Sequence, residues 1–159
     1  MDEDTDSVSA VGAGDVGPDE RARRVSRLLS LVLHGVALHS FLTGLGLLLQ
    51  PVFLIDWAGW KPVTEPFFPA QGGVFHMLMA ALYVKAALRE ETRPVLIPFI
   101  IIVKSVAAVF LLAYHFFFAP VWIVFLSGLA DGAMAITVAL LARAAGSFPP
   151  RRTRPIQHG

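Results

Sequence analysis

Four long apolar stretches dominate this chain, from about Leu28 to Leu49, Gly72 to Leu88, Pro94 to Phe118 and Val121 to Ala142. A helix needs roughly 20 residues, range about 17–25, to cross a bilayer core, and all four stretches qualify, the second at the lower limit. Strands of a membrane barrel would be about half that length with alternating polarity, and nothing here alternates. Short connections join the last three stretches, REETR at 89–93 and a turn around Pro120, so successive helices should lie antiparallel. The expected fold is an all-α membrane protein: a four-transmembrane-helix antiparallel bundle spanning 28–145, with helices at about 28–49, 72–88, 94–118 and 121–142.

Composition agrees. Hydrophobic residues make up 55% and charged residues 16% of the chain, against roughly 45–50% and about 25% in a soluble domain. The absence of cysteine excludes disulfides, thiolate metal sites and cysteine nucleophiles within the chain. A net charge of +1 gives no reason to expect a nucleic-acid partner.

The position of the charges says more than their sum. With a cytoplasmic N-terminus, Arg21, Arg23, Arg24, Arg27, Lys85, Arg89, Arg93, Arg143, Arg151, Arg152 and Arg154 fall on inner flanks, against Lys61 alone outside. Both termini are therefore expected to be cytoplasmic. Residues 1–27 read as a disordered tail, acidic then basic, and 146–159 as a basic, proline-rich tail resting on anionic lipid heads. The outer loop 51–71 holds four prolines, which rule out a regular helix through it. Its Trp57, Trp60 and phenylalanines suit the headgroup layer.

One residue contradicts its surroundings. Lys104 lies in FIIIVKSVAAVFLL, about 15 Å from the inner edge at 1.5 Å per residue. Such a charge at mid-bilayer carries about +2.5 to +3.5 kcal/mol on insertion scales. Asp131, in SGLADGAMA at about 18 Å on the next helix, is the expected counter-ion. Ser127, one turn earlier, is positioned to donate a hydrogen bond to it. Gly128 and Gly132 flank the aspartate at GxxxG spacing and should allow close helix approach.

On the first helix, Gly35, His39 and Thr43 recur every four residues; on the second, Gly73, His76, Ala80, Tyr83 and Ala87 share a face. The expected interior thus has a polar layer of Lys104, Asp131 and His39, with His34 and Tyr83 nearer the cytoplasm and His76 and Thr43 nearer the outside. A register-fixing ion pair is favoured over a functional site for Lys104 and Asp131. Haem b between two histidines is disfavoured because His39 and His76 differ by about 5 Å in depth. No metal site is expected, and haem b or quinone is a disfavoured alternative.

Gly44 and Gly46 followed by a proline and DWAGW, then ALYVKAALRE, IIVKS and SGLADGAMA, together resemble small four-helix bacterial inner-membrane proteins of the DoxX-like sort, over about residues 25–145. The resemblance implies the four-helix topology and a bacterial inner membrane. Some of those proteins are subunits of quinone-linked oxidoreductases, but no clear redox motif is present to carry that activity over.

No phosphate loop or nucleophile motif appears, which points away from an enzyme. The favoured reading is an integral membrane protein that serves as an accessory or assembly subunit of a larger membrane complex. A proton-coupled small-molecule transporter acting as a homo-oligomer and a quinone- or haem-linked redox subunit remain open.

Overall fold

The computed structural model describes residues 17–60 and 64–147. Residues 1–16, Lys61 and the tail from 148, including Arg151, Arg152 and Arg154, lie outside the described residues, and so do the expectations placed on them.

Among the described residues five α-helices follow one another: α1 (Pro18–Leu49), α2 (Val52–Ala58), α3 (Phe67–Leu88), α4 (Arg93–Phe117) and α5 (Trp122–Ala144). A single 3-10 turn, Glu90–Thr92, links α3 to α4. Helices α1, α3, α4 and α5 are each long and apolar enough to cross a membrane.

Two boundaries depart from expectation. The part of the N-terminal tail from Pro18 to Arg27 is helical, so α1 starts ten residues early. Asp19 and Glu20 sit in its first turn, where they meet the positive end of the helix dipole. Glu20 also pairs with Arg24 at 2.5 Å, one turn on. The outer loop, in turn, contains α2, and α3 begins at Phe67 rather than Gly72. The prolines fall where helices tolerate them. Pro51 and Pro66 precede the two helices, and Pro69 occupies the first turn of α3, where an N–H has no partner within the helix. Gly59 ends α2 in the left-handed conformation at φ 77°.

Helix α1 packs along its length on α3, and α4 on α5; the two pairs meet chiefly where α1 touches α5. Toward the 3-10 turn the interior is filled by large side chains: Leu29, Leu33, Tyr83, Ile97, Ile100 and Val138. Toward α2 it is built differently. Beyond Ser40 the only buried residue of α1 is Gly44; before Ala80 in α3 it is Gly73; beyond Lys104 in α4 it is Ala108; before Asp131 in α5 they are Val124 and Gly128. At that end the helices of each pair touch through small residues.

The backbones of α1 and α3 come closest at Gly44 and Gly73. A methyl group on Gly44 would lie 2.7 Å from the Gly73 carbonyl oxygen, and one on Gly73 2.6 Å from that of Gly44. Gly128 meets Leu112 at 3.0 Å in the same sense, while Gly132 makes only ordinary contact with Ala108 at 3.7 Å. Gly35 was expected to pack against a neighbour and does not. It is exposed, with nothing near a would-be Cβ.

The 3-10 end is tied by Arg93, expected only as a basic flank residue but 4% exposed. Its guanidinium donates to the carbonyls of Ala86 (3.1 Å) and Ala87 (3.4 Å), to Ser26 Oγ (2.7 Å) and to Glu90 Oε1 (2.8 Å). It caps the orphan carbonyls that end α3 and holds α1 against them. Ser30 adds a hydrogen bond to the Ala87 carbonyl at 2.7 Å.

Candidate functional site

The surface is apolar where water would require polar groups. Val95, Val109 and Phe117 are 76%, 69% and 81% exposed, whereas Lys104 and Asp131 are 2% and 3% exposed. Contiguous apolar surface of this extent is untenable in water and ordinary in hydrocarbon, where ionisable groups turn to the bundle interior.

Lys104 Nζ donates to Asp131 Oδ1 at 2.5 Å, from the middle of α4 to the middle of α5. The same ammonium lies 5.8 Å from the centroid of the Tyr83 ring, on α3. Tyr83 is fully buried. A ring face at that distance attracts a cation through its quadrupole. Helix α1 contributes His39, half-buried, and Ser40, 1% exposed. His76 of α3 lies opposite Gly44. All four long helices thus carry polar groups at this level of the bundle, with His76 on the Gly44 side of it.

Two atoms of the layer lack good partners. Among the described residues the buried Nδ1 of His39 has no hydrogen bond, and the Oγ of Ser40, beside the Tyr83 side chain, makes none of good geometry. A buried polar group left in that state costs about 1–3 kcal/mol. Sequence reasoning missed Ser40. Its signal is the small-xxx-small spacing with Gly44, which marks the face of α1 that approaches another helix.

The remaining candidates scatter. Thr43 donates to its own helix, to the His39 carbonyl at 2.9 Å. Ser127 is half-buried, and among the described residues the hydrogen bond at the Asp131 carboxylate comes from Lys104, not from Ser127 as expected. His34 was expected in the interior and is exposed, its Nδ1 2.8 Å from the Ser30 carbonyl. It falls on the side of α1 away from Leu33, Val36 and Ala37, which are the buried positions. Among the described residues no three His, Asp or Glu side chains converge as metal ligands.

At the α2 end, Trp57 meets Trp122 edge to face with centroids 4.7 Å apart, pinning α2 to the start of α5. No family model, curated protein or solved structure matches the chain.

Proposed function

We propose that this protein is a proton-linked carrier of small solutes, with the Lys104–Asp131 pair as its charged centre and no covalent chemistry of its own. The observation that carries the reading is the convergence of all four long helices on that pair. An ion pair that merely sets register needs α4 and α5 alone. Here α1 brings His39 and Ser40, and α3 brings His76 and Tyr83. Carriers place coupling groups near the bilayer midplane, where a proton or ion changes the balance between two packings.

The helices cross the bacterial inner membrane alternately, antiparallel to their neighbours, with both termini cytoplasmic. Support comes from the basic residues on one set of flanks and from the DoxX-like resemblance. Four helices leave little room for a pathway, so the carrier works as an oligomer.

The test uses energised inside-out vesicles in which a dye reports the proton gradient. Candidate solutes, primary ammonium ions included, are added in parallel to vesicles that lack the protein, so that any unaided collapse of the gradient is subtracted. The wild type dissipates the gradient with its solute; K104M/D131N, which keeps the layer neutral, remains folded and does not. Equal dissipation by the double variant would reduce the pair to a structural tie.

One observation favours a second reading, that of an accessory subunit. His34 and Gly35 lie side by side on the outward face of α1, a polar ring beside a gap that admits another backbone. Extraction in mild detergent should then co-isolate a second membrane protein, and G35L should release it.

A further inference from the structure

The centre of the layer is already occupied by a cation, and that cation is tethered. Lys104 presents a primary ammonium on a four-carbon stem. Its head hydrogen-bonds Asp131 Oδ1 and stands 5.8 Å from the Tyr83 ring centroid. A carboxylate with an aromatic face is how proteins bind ammonium groups generally. The groups with a direct contact to this head are Asp131 from α5 and the Tyr83 ring from α3, while His39 and Ser40 of α1 and His76 of α3 are the other polar groups at this level of the bundle. None of them carries a fixed positive charge. His39 Nδ1 is unpartnered, and Ser40 Oγ, on a residue 1% exposed and beside the Tyr83 side chain, makes no hydrogen bond of good geometry. Both atoms are able to accept an N–H.

We propose that Lys104 is a built-in occupant of a site for a small primary ammonium ion, and that the free ion binds at Asp131 by displacing it. The proposal rests on the carrier reading and names its solute class. Charge balance fixes the coupling. The layer has one anion, and a second cation beside it would be unpaired in a low dielectric. Entry of R–NH3⁺ therefore accompanies loss of one proton from Lys104. The Asp131 carboxylate exchanges a hydrogen bond from Nζ for one from the ligand, Nζ keeps its electron pair as a neutral amine, and H⁺ leaves to water. The layer is neutral before and after, and one proton moves for each cation bound. An anion is disfavoured: it would face the negative side of the Tyr83 ring, and no arginine stands among the groups named above.

Lys104 and Asp131 roof the large apolar side chains on one side; on the other, the buried positions are glycine, alanine and Val124. The Ser40 hydroxyl sits at this boundary, one turn from Gly44.

Methylammonium is the probe. The full chain in detergent is titrated with methylammonium chloride, with sodium chloride and tetramethylammonium chloride at equal ionic strength as controls. Methylammonium raises the unfolding temperature in a saturable manner, and a weakly buffered sample releases about one proton per cation bound, as the charge balance requires. Tetramethylammonium, which has no N–H to donate, shifts the temperature far less. In K104A the tethered ammonium is gone, and methylammonium binds at least tenfold more tightly. In D131N binding is lost; should D131N not fold, K104M/D131N serves in its place. Equal shifts with all three salts, binding that survives loss of the carboxylate, or wild-type binding without proton release would each overturn the proposal. A wild type inert to methylammonium, alongside vesicle transport that depends on the pair, overturns this inference and leaves the carrier reading standing. Transport that survives K104M/D131N overturns the carrier reading itself.

Discussion

Lys104 and Asp131 are 27 residues apart in the chain and 2.5 Å apart in space. Neither group is tolerable alone where it stands. Removing one partner of a buried pair leaves a bare charge and is worth about 3–5 kcal/mol, whereas replacing both with neutral groups is often close to neutral. K104M is accordingly expected to lose about 3–5 kcal/mol of stability and K104M/D131N to recover most of it, as read from unfolding in mixed micelles of increasing denaturing detergent. A destabilisation in the double variant as large as in K104M would show that the two residues do not act as a pair. Ser40 behaves in the opposite sense. Its buried hydroxyl makes no hydrogen bond of good geometry, so S40A removes an unsatisfied group and should raise stability by about 1 kcal/mol, while weakening methylammonium binding. A residue whose loss stabilises the fold and impairs binding is one retained for the site.

At the scale of the helix, closeness is set by glycines. G44A would push a methyl to 2.7 Å from a backbone oxygen that cannot yield easily, an overpacking worth about 1–3 kcal/mol. G35A meets nothing within 4 Å and exchanges the poorest non-proline helix former for the best, a gain of about 0.8–1 kcal/mol. The same detergent unfolding measurement should give opposite signs for these two substitutions. Arg93 supports a third prediction. R93M strips four hydrogen bonds from the 3-10 end, so amide exchange should quicken across residues 86–92 and stay unchanged near Gly44. R93K should not restore protection, since an ammonium lacks the fork that spans these acceptors.

These elements explain what could be read beforehand. Four long helices follow from length and hydropathy, and a helical rise per residue was enough to match Lys104 with Asp131. The inner face of α1 was not legible. In water, polarity marks the outside of a helix; in hydrocarbon Leu31 outside and Leu33 inside carry the same letter. The four-residue series Gly35, His39, Thr43 therefore competed with Ser40, Gly44, and only packing decided for the latter. Gly73, His76, Ala80, Tyr83 and Ala87 were easier to align because the small residues in that series leave one consistent face, and none of these is exposed. The start of α1 did have a signal, proline followed by Asp19 and Glu20, which is a first-turn pattern. It was outweighed by the acidic composition of the segment before it.

For the molecule as a whole, the decisive asymmetry runs along its length. All three tryptophans, Trp57, Trp60 and Trp122, stand at the α2 end and are 61%, 41% and 40% exposed. Phe116 and Phe118 accompany them, also exposed. The opposite end carries Arg89 and the buried Arg93. Indole settles at the boundary between headgroups and hydrocarbon, so the tryptophan emission of this protein reports the depth of that one end. In bilayers of brominated lipid, bromine near the glycerol should quench the emission strongly and bromine near the chain terminus weakly. The side on which this end lies is a separate question, and the absence of cysteine makes it accessible. Single cysteines placed at Gln50 and at Gly146, on intact cells, should differ in reaction with a membrane-impermeant maleimide: the first labelled, the second labelled only after the cells are opened. The reverse pattern would invert the molecule in the membrane. Deep quenching would carry a different consequence. It would draw α2 into the hydrocarbon and set Lys104 off the midplane, removing the depth argument on which the proton-linked centre depends.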